Sequence, residues 1–186
     1  MPTFTPITTD AELQQILELQ ACNLPKSITS DELADQGFVT VQHDFELLKR
    51  INDLEQGVLI RDDEEVIGYV LAMTDALRDS VPILVSMFDT FDQLTYKGKQ
   101  LNDYRYIVVG QVCIAKAYRG QGLFDEAYAA YRNLLSPKYD FTITEIAFRN
   151  QRSLRAHQRI GFEIIHEYTS PEGEHWAIVV WDWGAG

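Results

Sequence analysis

Three places in the chain carry side chains and spacings suited to chemistry. The stretch AYRGQGLFDEAYAAYRNLL, beginning at Ala117, sets Arg119, Gly120 and Gly122 directly before a helix-like run. A helix N-terminus has backbone N–H groups without intrahelical partners, and its dipole adds roughly half a positive charge. Glycine lets backbone approach a ligand closely. The pattern suits an anion cradle built on the amides of Gly120, Gln121, Gly122, Leu123, Phe124 and Asp125, with Arg119 adding a charge-assisted contact. A flexible loop is the bland alternative. Glu145 is the second feature. Alternation in FTITEIAF puts Thr142, Thr144, Ile146 and Phe148 on one face, and Ile143, Glu145 and Ala147 on the other. Glu145 is the sole ionisable group on its face, which suits a general base, with a solvated strand residue as the alternative. The third is His157, whose ordinary pKa near ~6.5 suits proton exchange at neutral pH. It reads as a proton donor or as a packing residue of its helix. Cys113 lies mid-strand and reads as a small buried hydrophobe rather than a nucleophile. Gln111 is polar within IVVGQVCI and faces a cleft or a buried partner.

Known phosphate loops do not fit. A Walker loop needs Gly-Lys-Ser/Thr. A dinucleotide fingerprint needs a third small residue after Gly122 and an early strand, whereas Leu123, Phe124 and Asp125 follow here, late in the chain. No CxxC or HExxH spacing occurs, and the four histidines are scattered, so no metal site is expected.

The elements that position these residues follow from periodicity. A strand is expected over Thr3 to Thr8, then a helix from an Asp10 N-cap to about Asn23. A helix over Asp44 to Leu54 precedes a hairpin in GVLIRDDEEVIGYVLAM. The segment Thr74 to Asp103 predicts a helix from Pro82 to Leu94. YRYIVVGQVCIA reads as a strand buried on both faces, followed by a helix from Gly122 to Leu135. FTITEIAF, a helix opened by Asn150 in NQRSLRAHQRIGF, and the strands FEIIHEY and HWAIVVWDW complete the chain. The order predicts a mixed α/β domain around one sheet, a single domain over 1–186.

Composition narrows the partners. The 28 acidic and 16 basic residues give a net charge of −12, which argues against broad nucleic-acid binding and permits a cationic partner. No run of about 18 apolar residues spans a membrane. The N-terminus lacks a secretory pattern, and two unrelated cysteines suggest a reducing, cytoplasmic setting.

Strand, AYRGQGLF, helix, strand and NQRSLRAHQRIGF, in that order, resemble the GNAT superfamily of acyl-CoA-dependent N-acyltransferases. Its loop reads Arg/Gln-x-x-Gly-x-Gly/Ala, which Arg119 and Gly122 match, with Phe124 departing at the third position. Its second block reads Asn-x-x-Ala/Ser-x-x-x-Tyr-x-x-x-Gly-Phe, which Asn150, Ser153, Gly161 and Phe162 match, with His157 in the place of Tyr. The resemblance covers about Ile107 to Phe162 and implies a twisted, mostly antiparallel sheet with two splayed parallel strands.

The resemblance also implies acetyl-CoA as cosubstrate. Its pyrophosphate would rest on the Gly120 to Asp125 loop, with Asn150 and Ser153 nearby. Its pantetheine arm would pair with the edge of Val112, Cys113 and Ile114. An amine acceptor, a direct attack on the thioester, Glu145 as base and His157 as acid follow as expectations. Asp89 and Asp92 are candidates to anchor a cationic acceptor, or form a solvated helix face. Phe88, Phe91 and Tyr96 are expected to shape the acceptor pocket. A homodimer is compatible with the family. A non-catalytic CoA-binding module and a structural protein with an accidental loop are the competing readings.

Overall fold

The computed structural model describes residues 1–24, 42–80 and 82–184. Its elements are β1 (Thr3–Pro6), α1 (Asp10–Ala21), α2 (Phe45–Leu54), β2 (Val58–Asp62), β3 (Glu65–Met73), α3 (Pro82–Phe91), β4 (Thr95–Tyr96), β5 (Lys99–Gln100), β6 (Tyr106–Ile114), α4 (Leu123–Leu135), β7 (Phe141–Ala147), α5 (Gln151–Arg159), β8 (Glu163–Thr169) and β9 (His175–Asp182). Seven strands form one sheet in the order β1-β2-β3-β6-β7-β9-β8, and β4 and β5 form a separate ribbon. The β6–β7 pair is parallel; the other pairs are antiparallel. The expected mixed α/β fold, with its central parallel pair, is the one observed.

Each face of the sheet buries its own helices. Leu13 and Ile16 of α1, Leu48 and Ile51 of α2, and Phe88 and Phe91 of α3 pack on one face with Leu71, Ile143 and Ile178. Leu123, Ala127, Tyr128 and Tyr131 of α4 and Leu154 of α5 pack on the other with Ile67, Val70 and Val179. Several boundaries differ from expectation, β1 ending at Pro6 rather than Thr8 among them. Thr9, not Asp10, caps α1, because a capping box ties Thr9 to Glu12. Helix α3 ends at Phe91, and amide bonds from Gln93 to Thr90 O and from Leu94 to Phe91 O close its last turn. Gly161, at φ +112°, ends the turn after α5, where a Cβ would lie 2.9 Å from Trp181 Nε1.

The middle segment builds core instead of the expected acceptor wall. Phe88 and Phe91 are fully buried, and the Tyr96 hydroxyl donates to Asp182. Their rings join a mostly edge-to-face aromatic cluster with Tyr104, Tyr106 and Phe141, which holds Phe88 and Phe91 in the core and leaves Tyr96 half-buried.

The central strands part early. Tyr106, Ile107 and Val108 pair in register with Phe141, Thr142 and Ile143. Beyond that point the Thr144 hydroxyl, not a backbone amide, donates to Val109 O at 2.9 Å. On the other side of β6, Gln111 pairs with Leu71 and Val109 with Ala72, so Gly110 is an extra residue, a bulge. The bulge reverses the alternation that follows. The amide of Ala115 bonds Ile67 O, which sets Cys113 and Gln111 toward β3 and the N–H and C=O of Val112 and Ile114 toward the opening gap. Replacing Thr144 by Val keeps the shape and removes the hydroxyl that serves Val109 O. Urea denaturation should show a loss of about 1 kcal/mol.

Candidate active site

The Gly-rich turn forms as the sequence predicts. Gly120 and Gly122 have φ of +79° and +84°, and no atom lies within 4 Å of where a Cβ would stand at either. Gly122 caps α4. The cradle is shorter than expected, because the Asp125 amide turns back to Gly122 O at 3.0 Å. The Gln121 side chain also leaves the cleft, donating to Ala117 O. Gly120, Gly122, Leu123 and Phe124 line a cleft of about 520 Å³ together with Val112, Cys113, Ile114, Ser153 and Asp125.

Arg119 borders this cleft, but protein groups hold its guanidinium. Nε donates to Ile114 O at 3.0 Å, and a terminal nitrogen to Asn23 Oδ1 at 2.5 Å. The side chain therefore clamps the loop to the end of β6 and to the turn after α1. Arg152, Arg155 and Arg159 line the opposite wall. The pattern RSLRAHQR carries them at i, i+3 and i+7, one face of a helix, and that spacing is the signal available in the sequence. Arg159 pairs with Asp125, so the Asp125 carboxylate is countered at the cleft. Four arginines thus surround the cleft of a chain whose net charge is −12.

Val112 and Ser153 also border a smaller cavity of about 80 Å³ where β6 and β7 have parted, with Gly110, Gln111, Thr144, Glu145, Asn150, His157 and Trp176 around it. Gln111 is fixed there: Gln20 Nε2 and the Tyr69 hydroxyl donate to its Oε1 at 2.7 and 2.5 Å. Asn150 caps α5, its Oδ1 accepting from the Ser153 amide. Burial pushes the Glu145 carboxyl up to about 7, against a hydrogen bond from Tyr168 that lowers it. Burial likewise pushes the Cys113 thiol up to about 12, which leaves it protonated and unsuited to attack.

His157 is a correction. It is 2% exposed, and both ring nitrogens are engaged: Nδ1 donates to Ser153 O at 2.8 Å and Nε2 accepts from the Tyr128 hydroxyl at 2.6 Å. Burial pulls it down to about 4, so the ring is neutral at pH 7 and has no proton to give from Nε2. Asp89 and Asp92 are exposed and pair with Arg78, and Asn102 donates to Asp92, which favours the solvated face over an acceptor anchor.

A match to the family model described as acetyltransferase (GNAT) family spans residues 13–162. The chain belongs to that family. Among solved structures, Arabidopsis thaliana NAA60 in complex with acetyl-CoA superposes at a TM-score of 0.67 with 14% identity, covering 98% of this chain and 99% of that one. The ribosomal-protein-S18-alanine N-acetyltransferase from Escherichia coli gives 0.64 and 10%, covering 100% and 96%. The Salmonella typhimurium protein yncA, solved with its cofactor acetyl-CoA, gives 0.64 and 12%, covering 100% and 96%. No curated protein sequence matches it. No helix among the described residues is long and apolar enough to cross a membrane, and no group of three metal-ligating side chains occurs among them.

In this GNAT chain Glu145 carries a stability consequence. Its folded pKa of about 7 lies above the 4.5 of a free carboxyl. The folded state therefore binds the proton more tightly, and the burden of the charge is full above pH 7 and absent below pH 4.5. Glu145→Gln should raise stability by up to about 3 kcal/mol at about pH 8 and by nothing near about pH 4.5, read from denaturant titrations at the two pH values.

Proposed function

We propose that the protein is an N-acetyltransferase that moves the acetyl group of acetyl-CoA to a primary amine by direct attack in a ternary complex. The observation that carries this reading is the adjacency of the two cavities, which share Val112 and Ser153 in their walls: an arginine-lined, Gly-looped cleft suited to phosphates lies beside a gap lined by one half-buried carboxylate, that of Glu145. The residues fit the cosubstrate. Amides of Gly120 to Phe124 would hold its pyrophosphate, the arginines would counter its charge, and the edge of Val112 and Ile114 would pair with its pantetheine arm. Asn150 and Ser153 support the wall between them. The reading takes residues 1–186 as one acetyltransferase domain, since the sheet continues past the matched region through β8 and β9.

Bound acetyl-CoA supplies an activated thioester; the chain's residues do the rest. An amine with a pKa near ~10.4 arrives mostly protonated, and Glu145, poised near neutrality, takes that proton directly or through water. Amides of Val112 and Ile114 face the gap and donate to the oxygen on which charge develops. A thiol pKa near ~8.5 makes the thiolate a fair leaving group, so the reading needs no acid from His157.

Acetyl-CoA incubated with a panel of primary amines, followed by thiol release, tests this. At least one amine should give saturable release, and acetyl-CoA bound without release by any of them marks a CoA-binding module instead. Gly122→Val forces a β-branched residue to positive φ and should weaken acetyl-CoA at least about tenfold by calorimetry in a folded variant. Glu145→Gln should slow transfer most at low pH, and less as the pH nears the pKa of the free amine. A Glu145→Gln enzyme at parental rate across that range would remove Glu145 as the base.

A further inference from the structure

Glu145 reaches a partner on a strand that is not its neighbour. Strand β9 lies between β7 and β8. Glu145 stands opposite Ile178 of β9, and Tyr168 of β8 stands opposite Trp176. Even so, the Tyr168 hydroxyl donates to Glu145 Oε2 at 2.5 Å, a bond that passes over β9 across about 10 Å of sheet. Tyr168 is itself held, its ring stacked against His166 and its hydroxyl adjoined by Ser86 and Thr90 of α3. Tyrosine is long and stiff enough to span that distance with a donor at its tip.

We propose that Tyr168 is the positioning residue of Glu145: it pins Oε2 and so holds the carboxylate at the small cavity that Glu145 lines. The proposal rests on the reading of Glu145 as the base. Burial drives the carboxyl upward, and the Tyr168 bond is the influence that opposes it. Other titratable groups on the surrounding elements include His166, Glu163 and Glu167 on β8, His175 and Asp182 on β9, Cys113 and Tyr106 on β6, Tyr69 on β3, Asp89 on α3, His157 on α5 and His43 before α2. His43 and His157 are held neutral by burial and Cys113 protonated, and Asp89 is paired with Arg78. None of these, nor His166 or Glu163, is among the influences on Glu145.

The titration itself needs no acceptor. Glutamate isotopically labelled at the side-chain carboxyl carbon allows each carboxyl to be titrated by NMR, and the Glu145 signal is the one lost in Glu145→Gln. It should titrate near about pH 7 in the parent. In Tyr168→Phe the midpoint should rise by about one pH unit, roughly tenfold tighter proton binding, with amide spectra confirming the fold. An unmoved midpoint in folded Tyr168→Phe overturns the proposal, and leaves the base reading intact if Glu145→Gln still loses transfer. A moved midpoint beside a fully active Glu145→Gln overturns the base reading and the catalytic sense of the bond together.

Discussion

A buried parallel strand pair cannot simply come apart, because every freed N–H and C=O needs a partner. The parting of β6 and β7 is the constraint on which the rest of this structure depends. Thr142 and Thr144 answer it from one side, donating to Ile107 O and Val109 O, where the ladder thins and ends. The Gly110 bulge answers it from the other side, keeping β6 bonded to β3 while turning Val112 and Ile114 toward the gap. The Ile114 carbonyl is then taken by Arg119, which fixes the Gly-rich loop to the same strand. Gap and loop are therefore one construction, and a change in either is felt in the other.

The two departures from the family pattern touch each other. Phe124 stands where a small residue is usual and His157 where a tyrosine is usual, and their rings meet edge to face with centroids 5.1 Å apart. A larger residue in the loop is matched by a smaller ring on α5, and Tyr128 fills in behind both, with a hydroxyl that satisfies Nε2. The pair reads as volume exchanged between the loop and α5.

Local signals are legible in the sequence where chemistry is local. The glycines before α4, the alternation around Glu145, the Asn150 cap and the order of strands and helices all follow from short-range patterns. What the sequence conceals depends on distance along the chain. Tyr168 meets Glu145 from 23 residues away, and Gln20 meets Gln111 from 91. His157 reads as an acid because its type is visible and its burial is not. Phe88 and Phe91 read as pocket wall because an apolar helix face does not say whether it faces a ligand or a sheet. The three arginines of α5 are readable by spacing, but the cap and the ring that share their helix draw the eye first.

The arginine-lined cleft sits in a strongly acidic chain, and this sets two length scales against each other. At distances beyond the Debye length, about 8 Å at physiological salt, an approaching polyanion meets little of either field. In dilute salt it first meets the repulsion of the whole molecule, and only near the mouth does the local positive field take over. Added salt screens the far field before it weakens contacts made inside the cleft. Capture of a multiply charged anion would therefore quicken with moderate ionic strength before it slows, the reverse of what a basic protein does.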